Sequence, residues 1–291
     1  KYIDLYIRDE IPGYEEKSAR FRYLFGRLRT TAEDIVDRMA EELAESDFKP
    51  VAFELGFGGK DGQLPAVTIT EEDQRLSVSG KVDRVDGWLH DGRLYLRVVD
   101  YKTGKKSFDL SDLRYGLGIQ MLLYLFSLTR DPSGRFTGAE PAGVLYLLAD
   151  PAPETTTREK AARSVEYQLD GLVRDEQKIF DAMDADETGR YLPFGYRNGA
   201  PSPYQKDKRA DIAKLNRIRL HLDDLVTRMG EQLYGGQIAA EPLVVSTNRS
   251  PCAWCDYDFI CCHETGIGER GLEAPAKPFE PEAAEDEEEP T

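Results

Sequence analysis

Apolar and polar residues alternate along two neighbouring stretches of this chain. Leu76, Val78 and Val82 precede a turn at His90-Asp91-Gly92-Arg93, and Leu94, Leu96 and Val98 follow it. A period of two on both sides of an Asp-Gly pair predicts a β-hairpin. Alternate residues of a strand share a face, so the apolar face of the second strand runs from Leu94 through Val98 into Asp100 and then Lys102. A carboxylate and an ammonium group end a hydrophobic face.

Elsewhere the period lengthens or disappears. Over 14–48 apolar residues recur at helical spacing (Phe21, Leu24, Phe25, Leu28, Ile35, Met39), which predicts one long or broken helix of scaffold character, stopped by Pro50. Residues 51–58 read as a strand with Glu54 among apolar neighbours. Glu54 is either a polar residue satisfied at a strand edge, the reading favoured here, or a further acidic member of a site. A turn-rich link over 58–64 leads into strands at 66–70 and 75–85. After the hairpin, 115–129 predicts a strongly apolar helix on which Gln120 and Tyr124 lie one turn apart. The unbroken apolar run at 143–149 predicts a buried strand, 150–163 a polar loop, and 171–183 and 206–233 helices. Strands and helices in this order predict an α/β fold.

The hairpin also brings chemistry. If Asp83 meets Asp100 across it, two carboxylates converge beside Lys102, and hard oxygen ligands in that number suit Mg²⁺ or Mn²⁺ with several waters retained. Such a site fits phosphodiester hydrolysis: the metal neutralises non-bridging oxygens and a lysine orients or deprotonates the attacking water. D-x-K alone arises by chance about once in 300 residues, so its company decides. That company is an aspartate on the preceding strand, an apolar run leading in, Gly104 behind it, and Gln120 and Tyr124 on the helix that follows.

Taken together, G-K-V-D-R-V-D at 80–86, V-V-D-Y-K-T-G at 98–104 and Y-G-L-G-I-Q-M-L-L-Y at 115–124 resemble the RecB-type branch of the PD-(D/E)xK nucleases, most closely the C-terminal nuclease domain of AddB-type helicase-nuclease subunits. The order of P-A-G-V-L-Y-L at 141–147 and C-A-W-C-D-Y-D-F-I-C at 252–261 agrees with it. The resemblance implies a restriction-endonuclease-like core with helical insertions and a C-terminal cysteine-bearing extension. It implies that Asp83 and Asp100, with the Tyr101 carbonyl, hold Mg²⁺ or Mn²⁺, that Lys102 serves the water, and that Gln120 and Tyr124 complete the motif; the family carries a glutamate at the place of Glu54 too. It implies action on single-stranded DNA ends, in double-strand break repair, with an AddA-like helicase-nuclease subunit as partner. Two other readings are weighed against it: a stand-alone Cas4-like nuclease, disfavoured by the long insert over 150–241, and a non-catalytic DNA-binding or assembly module.

Four cysteines change the picture at the C-terminal end. Cys252-x2-Cys255-x5-Cys261, with Cys262 and His263 adjacent, has the short loop by which two sulfurs reach one zinc ion or iron-sulfur cluster. The resemblance points to [4Fe-4S] held by Cys252, Cys255, Cys261 and a fourth cysteine upstream, which is not in this sequence; Cys262 is a strained substitute. The family's metal-ligating histidine precedes the first aspartate, whereas His90, His221 and His263 all follow Asp83. The expectation is a piece of a longer protein whose cluster and metal site are each one ligand short, and which cleaves poorly alone.

Composition sets the remaining bounds. The 291 residues carry a net charge of -16, of which seven negative charges lie between Glu280 and Glu289, leaving -9 for the rest. An acidic balance argues against a broad DNA-binding surface, so DNA contact falls to local patches or partner domains. The acidic run reads as a disordered, solvated tail or, second, a DNA-mimicking or partner-binding segment, and Lys206, Lys208, Arg209, Lys214, Arg217 and Arg219 as a solvated helix face or, second, a single-strand track. Lys1 in place of Met, no apolar leader and no span of bilayer length predict a piece of a longer cytoplasmic protein without a membrane segment, and the resemblance implies a bacterial one. The expected divisions are a helical lead-in (1–48), a nuclease core (49–150), a helical insert (151–245), a cysteine segment (246–272) and an acidic tail (273–291).

Overall fold

The computed structural model describes residues 2–58, 62–71, 74–102, 107–130, 134–148, 169–245, 250–272 and 279–280. The expected loop over 150–163 and most of the acidic tail lie outside them. Within the described residues run the helices α1 (Tyr2–Glu10), α2 (Ala19–Glu45), α3 (Gln120–Thr129), α4 (Gln177–Met183), α5 (Ile212–Tyr234) and α6 (Asp258–Cys261). The central strands are β1 (Lys49–Phe57), β4 (Gly80–His90), β5 (Arg93–Lys102), β6 (Glu140–Leu148), β7 (Leu169–Arg174) and β10 (Arg209–Ala210), forming one mixed sheet in the order β1-β4-β5-β6-β7-β10. The short pairs β2 (Val67–Glu71) with β3 (Gln74–Val78), β8 (Tyr196–Arg197) with β9 (Ala200–Pro201), and β11 (Leu243–Val244) with β12 (Arg270–Gly271) stand apart.

The predicted hairpin is β4–β5. Asp91 (φ 49°) and Gly92 (φ 73°) both take the left-handed conformation, the two-residue turn whose twist matches its strands. From β5 the chain crosses through α3 and returns as β6, parallel to β5, which is the connection a parallel pair requires. α3 presents Met121, Leu122, Tyr124, Leu125 and Leu128 to one face of the sheet, where Leu96, Val98, Val85 and Val144 meet them, and α5 adds Leu215, Ile218 and Leu222. The opposite face buries Phe48, Tyr95, Val99, Leu145 and Val173 against Ile179 and Phe180 of α4.

Several boundaries depart from the pattern reading. α2 stops at Glu45, ahead of Pro50, because Ser46 takes a β conformation and its hydroxyl turns to Ala182 O at 2.9 Å; Pro50 lies within β1. The helix expected over 171–183 opens as β7, since 171–174 is buried and pairs antiparallel with β6, and only 177–183 is helical. The helix expected over 206–233 is interrupted by β10, which pairs parallel with β7. The stretch expected as a helical insert from 151 therefore supplies two strands to the central sheet. An apolar helix over 115–129 is present only from Gln120; Asp112–Tyr115 is a 3-10 turn closed by Gly116 at φ 77°.

β1 is an edge of the sheet, and it is irregular. Its register with β4 shifts between Pro50 and Ala52, and Glu54 sits at φ 50°, a left-handed conformation rarely taken by residues other than glycine. On its free side Arg135 Nη2 donates to Val51 O at 2.9 Å, while Gln63 N and Leu64 N donate to Gly56 O at 2.8 and 3.1 Å. No described helix is long and apolar enough to cross a membrane.

Candidate active site

β5 ends as its alternation requires. Leu96 and Val98 are fully buried on the α3 face, Asp100 follows on that face at 7% exposure, and Lys102 Nζ lies 2.6 Å from Asp100 Oδ2. β4 pairs with β5 as far as Arg84↔Val99, so one further step sets Asp83 opposite Asp100. There Asp83 Oδ2 accepts a 3.1 Å hydrogen bond from the Tyr101 amide. Two carboxylates and one ammonium group thus gather where β4 begins and β5 ends.

Gln120 and Tyr124 reach the same end of β4 from α3. Gln120 Nε2 donates to the Tyr124 hydroxyl at 2.7 Å, and the Tyr124 ring meets Phe57 edge-on with centroids 5.2 Å apart. A Cβ at Gly80 would lie 2.6 Å from Tyr124 Cε1 and 2.7 Å from its hydroxyl, so only glycine admits the ring there, three residues before Asp83. Glu54 is exposed, and its carboxylate is engaged in a close ion pair by Lys81, itself in solvent. It reads as an edge residue in this setting.

Pattern reading missed two further groups. Register sets Tyr146 of β6 opposite Asp100 on one side and opposite Asp170 of β7 on the other, so the three form a row across three strands. Burial raises the Tyr146 phenol above its ordinary pKa, and the negative charges of Asp100 and Asp170 add to the shift. Asp170 accepts from Phe108 N at 2.7 Å and pairs with Lys208 Nζ at 2.6 Å. The site face therefore alternates acids with cations: Asp83, Asp100 and Asp170 against Lys102 and Lys208. The run at 143–149 foretold a buried strand, but its partners are set by the non-local pairing.

The other side of the same strands holds a second acidic group. Asp86, two residues past Arg84, is fully buried; its Oδ2 accepts from Arg84 Nη2 at 2.9 Å and from Arg97 Nε at 2.9 Å. Glu42 of α2 bridges the same two guanidinium groups, at 3.2 Å to Arg84 Nη2 and 2.5 Å to Arg97 Nη2. Burial alone would lower the Arg84 pKa, but the charges of Glu42 and Asp86 outweigh it and leave the pKa raised. Arg84 Nη1 then donates to the Tyr101 hydroxyl at 3.1 Å. Tyr101 thus joins both faces, its amide serving Asp83 and its hydroxyl serving Arg84.

The cysteines stand elsewhere. Cys252 is the second residue of a 3-10 turn, Pro251–Trp254, capped by Ser250, and its Sγ lies 4.0 Å from His263 Nδ1; Cys255, Cys261 and Cys262 are exposed. Among the described residues no three His, Cys, Asp or Glu side chains are close enough to hold one metal ion. With three cysteines at the motif's spacing and Cys262 in a left-handed conformation (φ 52°) beside the third, a four-thiolate cluster does not fit this segment as placed. The basic stretch is largely engaged by the chain itself: Arg209 with Asp175 at 3.1 Å, Lys214 with Glu280 at 2.9 Å, and Arg219 with Asp223 at 3.5 Å.

The chain as a whole is similar to known proteins. Residues 2–262 match the PD-(D/E)XK nuclease superfamily. A subunit of the ATP-dependent helicase/deoxyribonuclease of Clostridium tetani is 31% identical over 274 residues, covering 91% of this chain and 24% of that protein. The protein of the same name from Symbiobacterium thermophilum is 32% identical over 263 residues, covering 87% and 22%. That from Desulforamulus reducens is 31% identical over 255 residues, covering 84% and 22%. The chain spans about a quarter of the length of these curated relatives.

Proposed function

The chain belongs to the PD-(D/E)XK nuclease superfamily, and on that footing we propose that it is the nuclease domain of a helicase-nuclease that trims single-stranded DNA ends during double-strand break repair, together with a helicase-bearing partner. The observation that carries the reading is the hydrogen bond from the Tyr101 amide to Asp83, which ties the first aspartate to the D-Y-K segment that holds Asp100 and Lys102. The names of the relatives support the helicase-nuclease setting.

The donor set suits a hard divalent cation. Asp100 is nearly buried with Lys102 as its cationic neighbour, while Asp83 stands one step beyond the ladder opposite it; two carboxylates so placed call for more positive charge than one lysine supplies. Asp83, Asp100 and the Tyr101 carbonyl would hold Mg²⁺ or Mn²⁺, and the bound ion would neutralise the scissile phosphate and acidify water. Lys102 would orient the attacking water by donating from its ammonium, and would accept that water's proton at Nζ only as the neutral amine, after giving one of its own protons to solvent. Gln120 and Tyr124, joined by their hydrogen bond, line the approach over Gly80 and hold the DNA backbone by neutral donors.

The test is cleavage of end-labelled single-stranded DNA by the protein carrying this domain. Mg²⁺ or Mn²⁺ should support cleavage, chelation should stop it, and Asp100→Ala should remove both the cleavage and the Mn²⁺ bound per chain. Cleavage that survives chelation, or an Asp100→Ala variant that cuts normally, overturns the assignment.

A further inference from the structure

The acidic end of the chain touches the body at one described place. Lys214, on the first turn of α5, is 8% exposed, and its ammonium lies 2.9 Å from the Glu280 carboxylate. Arg217 Nε, nearly one turn on, donates to Phe279 O at 2.8 Å. The Phe279 ring meets the His221 ring edge-on, centroids 5.3 Å apart, and packs against the core under α5. Phe279 takes φ 61°, a left-handed conformation unfavourable for a residue other than glycine, which its contacts here offset.

Two consecutive residues thus offer this face a carboxylate for a lysine, a carbonyl acceptor for an arginine and a planar ring for a histidine. A nucleotide offers the same three: a phosphate, sugar or base acceptors, and a base. Lys208, six residues before Lys214, pairs with Asp170, whose row across the sheet ends at Asp100, so the chain leads from the candidate active site towards this face. Six more acidic residues follow in sequence between Glu282 and Glu289.

We propose that the α5 face formed by Lys214, Arg217 and His221 is a subsite for single-stranded DNA, and that Phe279 and Glu280 occupy it in place of a nucleotide. The tail acts as a tethered competitor: it withholds the subsite from weak or short ligands and yields to a strand already engaged elsewhere. This inference rests on the reading of the chain as a DNA nuclease, but its test needs no cleavage.

The test is binding of a labelled oligothymidylate to the full chain, measured by fluorescence anisotropy in EDTA. Phe279→Ala/Glu280→Gln should bind about tenfold tighter than the parent, the order supplied by one phosphate contact and one stacked base. Adding Lys214→Ala and Arg217→Ala to that variant should cancel the gain. A chain ending after Glu280 keeps the contacts while losing the later charges, and should gain less than the double substitution. Should the double variant unfold on heating at a lower temperature than its assay allows, Glu280→Gln alone, which keeps the Phe279 ring, should gain about threefold. An unchanged affinity, a gain that survives loss of Lys214 and Arg217, or a gain produced only by removing 281–291 overturns the proposal. Because metal is absent, a chain that binds as expected and never cleaves would count against the nuclease reading alone.

Discussion

Asp83 and Asp86 stand three residues apart on β4, inside one short motif, and their surroundings are opposite. Asp83 is half-buried at the end of the ladder, with an amide as its hydrogen-bond donor. Asp86 is wholly buried on the other face, between two guanidinium groups that Glu42 also holds. An odd step along a strand is a change of face, and here it separates an acid left able to take a new cation from an acid whose cations are built in. The first kind of site is open and adaptable. The second is a closed ionic joint between α2 and the sheet, and its loss is felt as stability, because removing one member strands the others in a dry interior.

The comparison breaks most visibly at Asp100 and Lys102. In the parent protein, Asp100→Ala or Lys102→Ala should lower the cleavage rate by about a thousandfold or more while the unfolding midpoint moves little, since each residue ends a strand. Asp86→Ala should do the reverse: about 3–5 kcal/mol lost in denaturant unfolding, with cleavage per folded molecule largely kept. If Asp86→Ala silenced cleavage without loss of stability, the two faces would not be separable. Tyr101→Phe tests the link between them. It deprives the Arg84 guanidinium of one acceptor, so about 1 kcal/mol of stability should go, with a several-fold fall in cleavage as the strand end loosens.

The smallest effect is spectroscopic. Burial raises the pKa of Tyr101 on one face and of Tyr146 on the other, so both phenols stay neutral after exposed tyrosines ionise at about pH 10. A group whose folded pKa lies above its unfolded value adds stability that is complete below the unfolded pKa and is lost as pH rises through the folded one. Stability should therefore fall in alkali, starting near about pH 10. Asp100→Asn removes one of the charges that hold Tyr146 up, so ultraviolet titration should find one phenol ionising earlier in that variant, and Tyr101 unmoved.

What could be read in advance divides along the same line. The hairpin, its Asp-Gly turn, the face shared by Asp100 and Lys102, and the Gln120–Tyr124 turn all depend on neighbours within a few residues, where period and turn chemistry speak directly. The paired aspartates were legible for that reason. β7 was not, because its short apolar run fits either period and only pairing with β6 decides it; β10 has two residues and no pattern at all. Tyr146 and Asp170 came into the row through registers between strands far apart in the chain. Glu42 lay on a helix read only as scaffold, and nothing local says that a glutamate there will meet two arginines from a hairpin.

The irregular edge strand β1 bears on how this chain behaves in company. An outer strand that is straight and unpaired invites a strand from another molecule, and stacking of that kind ends in aggregates. Here Pro50, the register shift beside it and the left-handed Glu54 break the straight run. Arg135 covers the carbonyl of Val51, and Gln63 and Leu64 cover that of Gly56. The Glu54 carboxylate and its Lys81 partner place fixed charge beside the exposed Phe53. The twist that draws Glu54 out of the row of aspartates thus also acts as a guard, keeping one copy of the sheet from growing onto the next.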